Sequence, residues 1–146
     1  MATLTRFTIV TPGAVKFEGA AEIVVAPGSS GDLGALAQHA PLLTTLRTGP
    51  VRATVVAAGS AGDGKGVTGR VEFAIDGGFM EVLPEKVIIL TDVALARDEI
   101  DVEQTRADLK RAEEALAQKR GADDSAERHA IAWAHARLEV AHRPPA

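Results

Sequence analysis

The chain has no cysteine and no tyrosine, and its aromatics amount to four phenylalanines and one tryptophan. Without cysteine there is no disulfide, no thiolate nucleophile and no Cys-type zinc centre, and a reducing compartment is compatible with the composition. So few aromatics leave an aliphatic core and little surface on which bases or sugars can stack. A basic excess is missing too: 16 Lys and Arg stand against 20 Asp and Glu, a net charge of −4, where a nucleic-acid binder would show a clustered basic face. Nor is there a long apolar run, since no stretch approaches the roughly 20 residues a spanning helix needs. Residues 1–20 lack the basic start and apolar stretch of a secretory signal, so none is expected. Any work at a membrane is therefore expected to run through partners.

What is present is a globular composition, 46 % hydrophobic and 25 % charged over 146 residues, enough for one domain and a second small element. The two parts differ in grammar. All but one of the 14 glycines lie before residue 97, whereas residues 98–146 hold 19 charged side chains against 17 in the longer stretch before them. A boundary near Ala96–Asp98 divides a β-like part, 1–97, from a helical part, 98–146.

In the first part short alternating runs are cut by turn residues. Phe7 and Ile9 alternate in "RFTIV", Val15 and Phe17 in "AVKFEG", and "EIVVA" stops at Pro27-Gly28. Val51, Ala53 and Val55 share a face in "PVRATVVA", as do Val71, Phe73 and Ile75 in "RVEFAI". Asp76-Gly77-Gly78 is expected to turn the chain into "FMEVL", and Pro84-Glu85 into "KVIIL". Eight or more strands with no helix between them predict an antiparallel sandwich or barrel. In the second part Asp101 with Gln104 resembles a capping box, and Val102, Thr105, Leu109, Ala112 and Leu116 form one seam. Gly121 suits a helix C-terminus, Asp124 with Glu127 repeats the capping pattern, and Ile131, Ala134, Leu138 and Ala141 form a second seam ended by Pro144-Pro145. The class expected is α+β: an N-terminal antiparallel β-sandwich followed by a C-terminal antiparallel two-helix hairpin. Its Ala-rich seams bury little area, so the hairpin needs the sandwich or a partner to stay in place.

Chemistry-bearing motifs are few. "GSAGDGKG", Gly59 to Gly66, fits the phosphate-loop pattern G-x-x-x-x-G-K, but Gly66 stands where Ser or Thr would hold magnesium and a strand, not a helix, follows. It reads as a hairpin loop, part of an enlarged Gly-rich insertion at Ala58–Gly69. His129, His135 and His142 share one helix without the i, i+4 spacing that places two ligands on one metal. "GDLGALAQHAPLLTTLRTG", Gly31 to Gly49, puts Asp32 and His39 in one loop, which leaves open an active site, a metal site or a contact surface, though a lone loop histidine is usually a capping or hydrogen-bonding residue. The hairpin arginines Arg106, Arg111, Arg120, Arg128 and Arg137 form either a solvated charged face, balanced by Glu103, Glu113 and Glu114, or a surface for an acidic partner.

Three segments together, "FTIVTPGAVKFEGAAEIVVAPG" (Phe7–Gly28), "GDLGALAQHAPLLTTLRTG" and "AIDGGFMEVLPEKVIILTD" (Ala74–Asp92), resemble the epsilon subunit of the bacterial F-type, proton-translocating ATP synthase, in the family's order and spacing. The resemblance implies a non-catalytic rotor part of the central stalk, with no cofactor and no metal. It implies a peripheral protein on the cytoplasmic side of the bacterial inner membrane, coupling proton flow through the c-ring to ATP synthesis. The sandwich would sit against the gamma subunit and on the c-ring. The hairpin would either fold on the sandwich or extend along gamma to the alpha and beta subunits and restrain ATP hydrolysis. Gly31, Asp32, Leu33, Gly34 and His39 match the edge that rests on the c-ring. A hydrophobic sandwich edge including Leu42, Leu43, Phe79 and Met80 is expected to face gamma. Arg106, Lys110, Arg111, Lys119 and Arg120 would form the inhibitory hairpin surface.

One departure bears on nucleotides. Some bacterial members bind ATP on the folded hairpin through I/L-D-x-x-R-A and further arginines on the second helix. Here "IDVEQTRA", Ile100 to Ala107, puts four residues between the acid and Arg106, a shift of about 200° around the helix. Ala126 and Trp133 stand where the second-helix arginines would be. No tight ATP site is expected. The rival readings are a small nucleotide hydrolase using Gly59–Gly66, an ATP-sensing module, and a generic adaptor.

Overall fold

The computed structural model describes residues 3–57 and 67–143. Among these, seven strands come first: β1 (Thr5–Thr11), β2 (Ala14–Gly28), β3 (Gly31–Leu36), β4 (Leu42–Ala57), β5 (Val67–Val82), β6 (Lys86–Leu90) and β7 (Ala94–Ala96). A 3-10 turn at Arg97–Glu99 leads to the helices α1 (Val102–Gln118) and α2 (Ser125–His142). Strand neighbours run β1-β6-β5-β4-β2-β3, β7 pairs with β5, and a β1–β2 pairing closes the ring. The β-sandwich followed by a helical hairpin is thus as expected, though the sheet is not wholly antiparallel. β1 runs parallel to β6, because ring closure sets the first strand beside a late one and the intervening strands supply the long crossover a parallel pair needs.

Fewer and longer strands replace the eight or more short ones. β4 and β5 stay paired from Leu42↔Val82 to Ala57↔Val67, so Pro50 and Asp76-Gly77-Gly78 bend strands rather than end them. The bend needs its glycines: Gly77 and Gly78 have φ of +74° and +133°, and a Cβ on Gly78 would stand 2.2 Å from the Leu90 carbonyl oxygen. Thr91 locks the corner by donating its hydroxyl to the Gly77 carbonyl at 2.7 Å. "AVKFEG" and "EIVVA" likewise lie in one strand, β2, opposite β1. There a bulge pairs Ile9 with Phe17 and Val10 with Val15, skipping Lys16. Alternation breaks at that point, which leaves Val15 58 % exposed while Phe17 packs on the core. Gly31–Gly34, expected as a loop, belongs to the edge strand β3, paired with β2. The Gly59–Gly66 motif lies outside the described residues, and Val67–Gly69 begin β5.

The core is aliphatic, as the shortage of aromatics requires: Ile9, Val24, Val51, Ile75, Met80, Val82, Val87 and Ile89 are fully or almost fully buried with Phe7. Phe17 bridges Phe7 and Phe73, with ring centroids 5.5 and 5.8 Å away. Each such buried side chain contributes about 1.5–3 kcal/mol of transfer free energy, so the sandwich carries most of the molecule's stability.

In the hairpin, Asp101 caps α1 by accepting the Gln104 N–H at 3.0 Å. The matching cap expected at Asp124 is not made. Its carboxylate pairs with Arg128 at 3.0 Å, and Asp123 instead accepts the Ser125 N–H, because Asp124 lacks the extended backbone a capping side chain needs. Gly121 takes the left-handed conformation, φ +73°, that returns the chain. The first seam holds, with Thr105 and Ala112 buried. The expected second seam is only partly buried: Ala134 is buried, but so are Ala136 and Val140 on another face, which docks α2 against the sheet.

Candidate functional site

The β3 edge carries the Asp32–His39 segment. Asp32 is the second residue of β3 and His39 lies three beyond its end; the steps from Asp32 to Leu36 alone span roughly 13 Å. They are therefore not a catalytic or ligating pair. Asp32 is held by two arginines of β4, Arg47 Nη2 at 2.6 Å and Arg52 Nη2 at 3.6 Å, and Arg47 also donates to the Gly28 carbonyl at 2.6 Å. Asp32 is thus outnumbered locally by cations. Leu33 packs inward on the core, while Gly31, Asp32 and Gly34 stay exposed. His39 Nδ1 lies 2.6 Å from the Ala40 carbonyl, so that nitrogen carries the proton. The loop is pinned by Gln38, whose N–H donates to Pro84 at 2.6 Å from the left-handed φ of +64°.

The apolar edge divides by strand alternation. Leu43 and Phe79 are 69 % and 53 % exposed, and Leu90 of β6, paired with Phe79, is 51 % exposed. Leu42 is half-buried against the core. Met80 is wholly buried, since its neighbour Phe79 takes the outer position, so it leaves the candidate surface. Phe79 and Leu90 also line a groove of about 350 Å³ with Pro12 and Asp92.

The hairpin lies on the outer face of β4 and β5, and α2 makes the contact. Ala136 and Val140 cover Ala74 of β5, with Ile100 and Trp133 at the margin. A polar contact flanks this small cluster at each end. His129 Nε2 sits 2.8 Å from Asp76 Oδ1, and Arg143 Nη1 2.8 Å from Glu72 Oε1. Arg97 Nε donates to the Val140 carbonyl at 3.3 Å. Of the second-helix histidines, which lack metal-ligand spacing, His129 has the chain's own β5 as its partner. The available signal was Glu72, Ala74 and Asp76 at alternate positions: a small residue between two acids on one strand face admits a helix.

Of the five basic residues expected to form the inhibitory hairpin surface, Arg106, Lys110 and Arg120 are exposed and make no ion pair among the described residues. Arg111 pairs with Asp108 at 3.6 Å, and Lys119 with Glu127 at 3.1 Å. Between the helices lies a groove of about 430 Å³ lined by Asp108, Arg111, Ala112, Trp133 and Arg137 but not by Arg106. Arg137 stacks over Trp133 at 5.2 Å and meets Asp108 at 3.3 Å. The Asp108 carboxyl is held below its ordinary value, first by the Gln104 side-chain hydrogen bond, against a smaller opposing effect of burial, and then by Arg137. Among the described residues no three His, Asp or Glu side chains are grouped to hold a metal, and no helix is long and apolar enough to cross a membrane.

Against known proteins, residues 4–97 match the family described as ATP synthase, Delta/Epsilon chain, beta-sandwich domain. The ATP synthase epsilon chain of Desulforamulus reducens is 42 % identical over 119 residues, covering 82 % of each chain. That of Laribacter hongkongensis is 39 % identical over 90 % of this chain and 89 % of its own, and that of Desulfitobacterium hafniense 35 % identical over 97 % and 98 %. The fold resembles a chain in the Euglena gracilis mitochondrial ATP synthase, described as OSCP/F1/c-ring, with a TM-score of 0.74, 21 % identity and coverage of 96 % of this chain and 82 % of that one. A chain in the central stalk and c-ring of the Tetrahymena thermophila mitochondrial ATP synthase gives a TM-score of 0.53 at 17 % identity, over 93 % and 92 %. With a matching sandwich and bacterial relatives aligned through the hairpin, the chain belongs to the ATP synthase delta/epsilon chain family, on its epsilon side.

Proposed function

We propose that this chain is a non-catalytic central-stalk subunit whose sandwich, residues 1–97, is the anchor and whose hairpin, 98–146, is a brake on ATP hydrolysis. The observation that carries this is the thinness of the hairpin's seat: Ala74, Ala136 and Val140, bounded by a His129–Asp76 contact at one end and an Arg143–Glu72 ion pair at the other. An element held that lightly can change partners for a few kcal/mol, the range a bistable device needs. The β3 edge at Gly31, Asp32, Gly34 and His39 would rest on the c-ring, and Leu43, Phe79 and Leu90 would face gamma. In the extended state Arg106, Lys110 and Arg120 would meet acidic surfaces of alpha and beta. Peripheral attachment on the cytoplasmic side of a bacterial inner membrane follows from those partners.

The test is ATP hydrolysis by the reconstituted complex with the full chain and with a version ending at Arg97. Both should bind gamma, and only the full chain should slow hydrolysis. Equal rates would leave the chain a coupling piece without a brake, and loss of gamma binding by both would refute the anchor. A second reading, that the hairpin clamps ATP, has the Trp133–Arg137 groove in its favour; stoichiometric nucleotide binding by calorimetry would establish it. With Arg137 already engaged by Asp108, we expect none that is tight.

A further inference from the structure

Besides Thr5 Oγ1, two buried polar side-chain atoms of the sheet have no hydrogen-bond partner among the described residues, Arg52 Nε and Glu72 Oε2. They belong to residues directly opposite one another in the β4–β5 ladder. Side chains so paired project from the same face with Cβ atoms about 5 Å apart, within reach of an arginine and a glutamate. An unpaired donor facing an unpaired acceptor across a ladder calls for an explanation, because native structures seldom leave such groups unmet.

The explanation is that both residues are pulled the other way. The Glu72 side chain is only 7 % exposed, and its other oxygen is taken by Arg143 of the docked hairpin at 2.8 Å. Arg52 leans instead toward Asp32 of the β3 edge, Nη2 to Oδ2 at 3.6 Å. Two runs of ion pairs therefore meet here, Arg47–Asp32–Arg52 from the β3 edge and Glu72–Arg143–Glu139 to the end of α2, with Arg52 and Glu72 opposite one another in the ladder between them.

We propose that Glu72 is a carboxylate for which Arg143 and Arg52 compete, and that Asp32 decides the outcome. With Asp32 holding Arg52 aside, Glu72 belongs to Arg143 and the hairpin stays docked. When a partner's cation engages Asp32, Arg52 turns to Glu72. Two guanidinium groups on one carboxylate repel each other, so Arg143 is loosened. Arg52 also supplies the counter-ion that a buried carboxylate must have once the hairpin lifts, and without which breaking a buried pair is strongly unfavourable. Occupancy of the β3 edge is thereby coupled to hairpin release with no change in the core, and the coupling is reciprocal. That the partner at Asp32 is the c-ring rests on the function proposed above; the relay itself does not.

The test uses the isolated full chain, so that it succeeds or fails independently of that partner. Amide hydrogen exchange in α2 is measured for the wild type, Asp32→Asn, Arg52→Met and the double variant. Asp32→Asn should speed α2 exchange about tenfold, and Arg52→Met should slow it by a similar factor. Asp32→Asn should then have no effect in the Arg52→Met background, while exchange in β6 is unchanged throughout. Faster α2 exchange in Arg52→Met would overturn the proposal, as would a full Asp32→Asn effect in the double variant. Exchange rising equally in β6 and α2 would overturn it too, by showing that these residues serve only the fold.

Discussion

His129 of α2 meets Asp76 of β5 through Nε2, 2.8 Å from one carboxylate oxygen and 3.0 Å from the other, while Thr48 donates its hydroxyl to the same carboxylate at 2.7 Å. The contact ties the start of the second helix to the strand just where β5 bends. Because His129 is 58 % exposed, the pair is worth at most about 1 kcal/mol. His129→Ala should therefore speed amide exchange in the first turns of α2 a few-fold and leave the thermal midpoint of the sandwich nearly unchanged.

Val140 is the largest wholly buried side chain of the hairpin seat. Val140→Ala removes two methyl groups' worth of burial and opens a small void, costing about 1.5–2.5 kcal/mol of docking free energy. Trp133, the chain's one tryptophan, lies at the margin of this cluster, so its emission should shift to the red in the variant. Emission unchanged from wild type would mean that the seat does not depend on this contact.

Gly78 is the position least able to change. Gly78→Ala puts a Cβ 2.2 Å from a carbonyl oxygen at a φ of +133°, with no flexible side-chain end to yield. A loss of at least about 3 kcal/mol is expected, read as a lowered urea midpoint of the β-sheet signal.

Asp108 gives the hairpin an acid dependence. Its folded pKa is depressed, chiefly by the Gln104 hydrogen bond and then by Arg137. A depressed carboxyl contributes stability that is present in full above the unfolded-state value, about 3.9, and is lost as pH falls through the lower folded value. Helical signal should therefore weaken below about pH 4 in the wild type, and less steeply in Asp108→Asn.

Much of this molecule could be read from its residues. Alternation marked Phe7, Ile9, Val51, Phe73 and Ile75 as core, and the glycine and charge asymmetry separated strands from helices. What could not be read was where regular structure bends instead of stopping. Asp76-Gly77-Gly78 has the composition of a hairpin turn, but the partner strand β4 continues past it, and only a long-range pairing decides between a turn and a corner. The same limit applies to Met80. Alternation puts it opposite Phe79 in burial, but which of the two faces inward depends on β4 and β6. The docking face of α2 was hidden for a different reason. A helix buried on two sides, by α1 and by the sheet, has no single apolar stripe, and alanines such as Ala134 and Ala136 serve either side.

A hairpin that brakes hydrolysis only after leaving its seat can be tested directly, because the chain has no native cysteine. In a chain carrying Ala74→Cys and Ala136→Cys, neighbours in the seat, oxidation should lock α2 on β5. ATP hydrolysis by the reconstituted complex is then compared before and after reduction of that bond. Hydrolysis should be fast while the hairpin is locked and slow once it is freed; equal rates in the two states, with the crosslink confirmed, would rule out a brake that acts by leaving its seat.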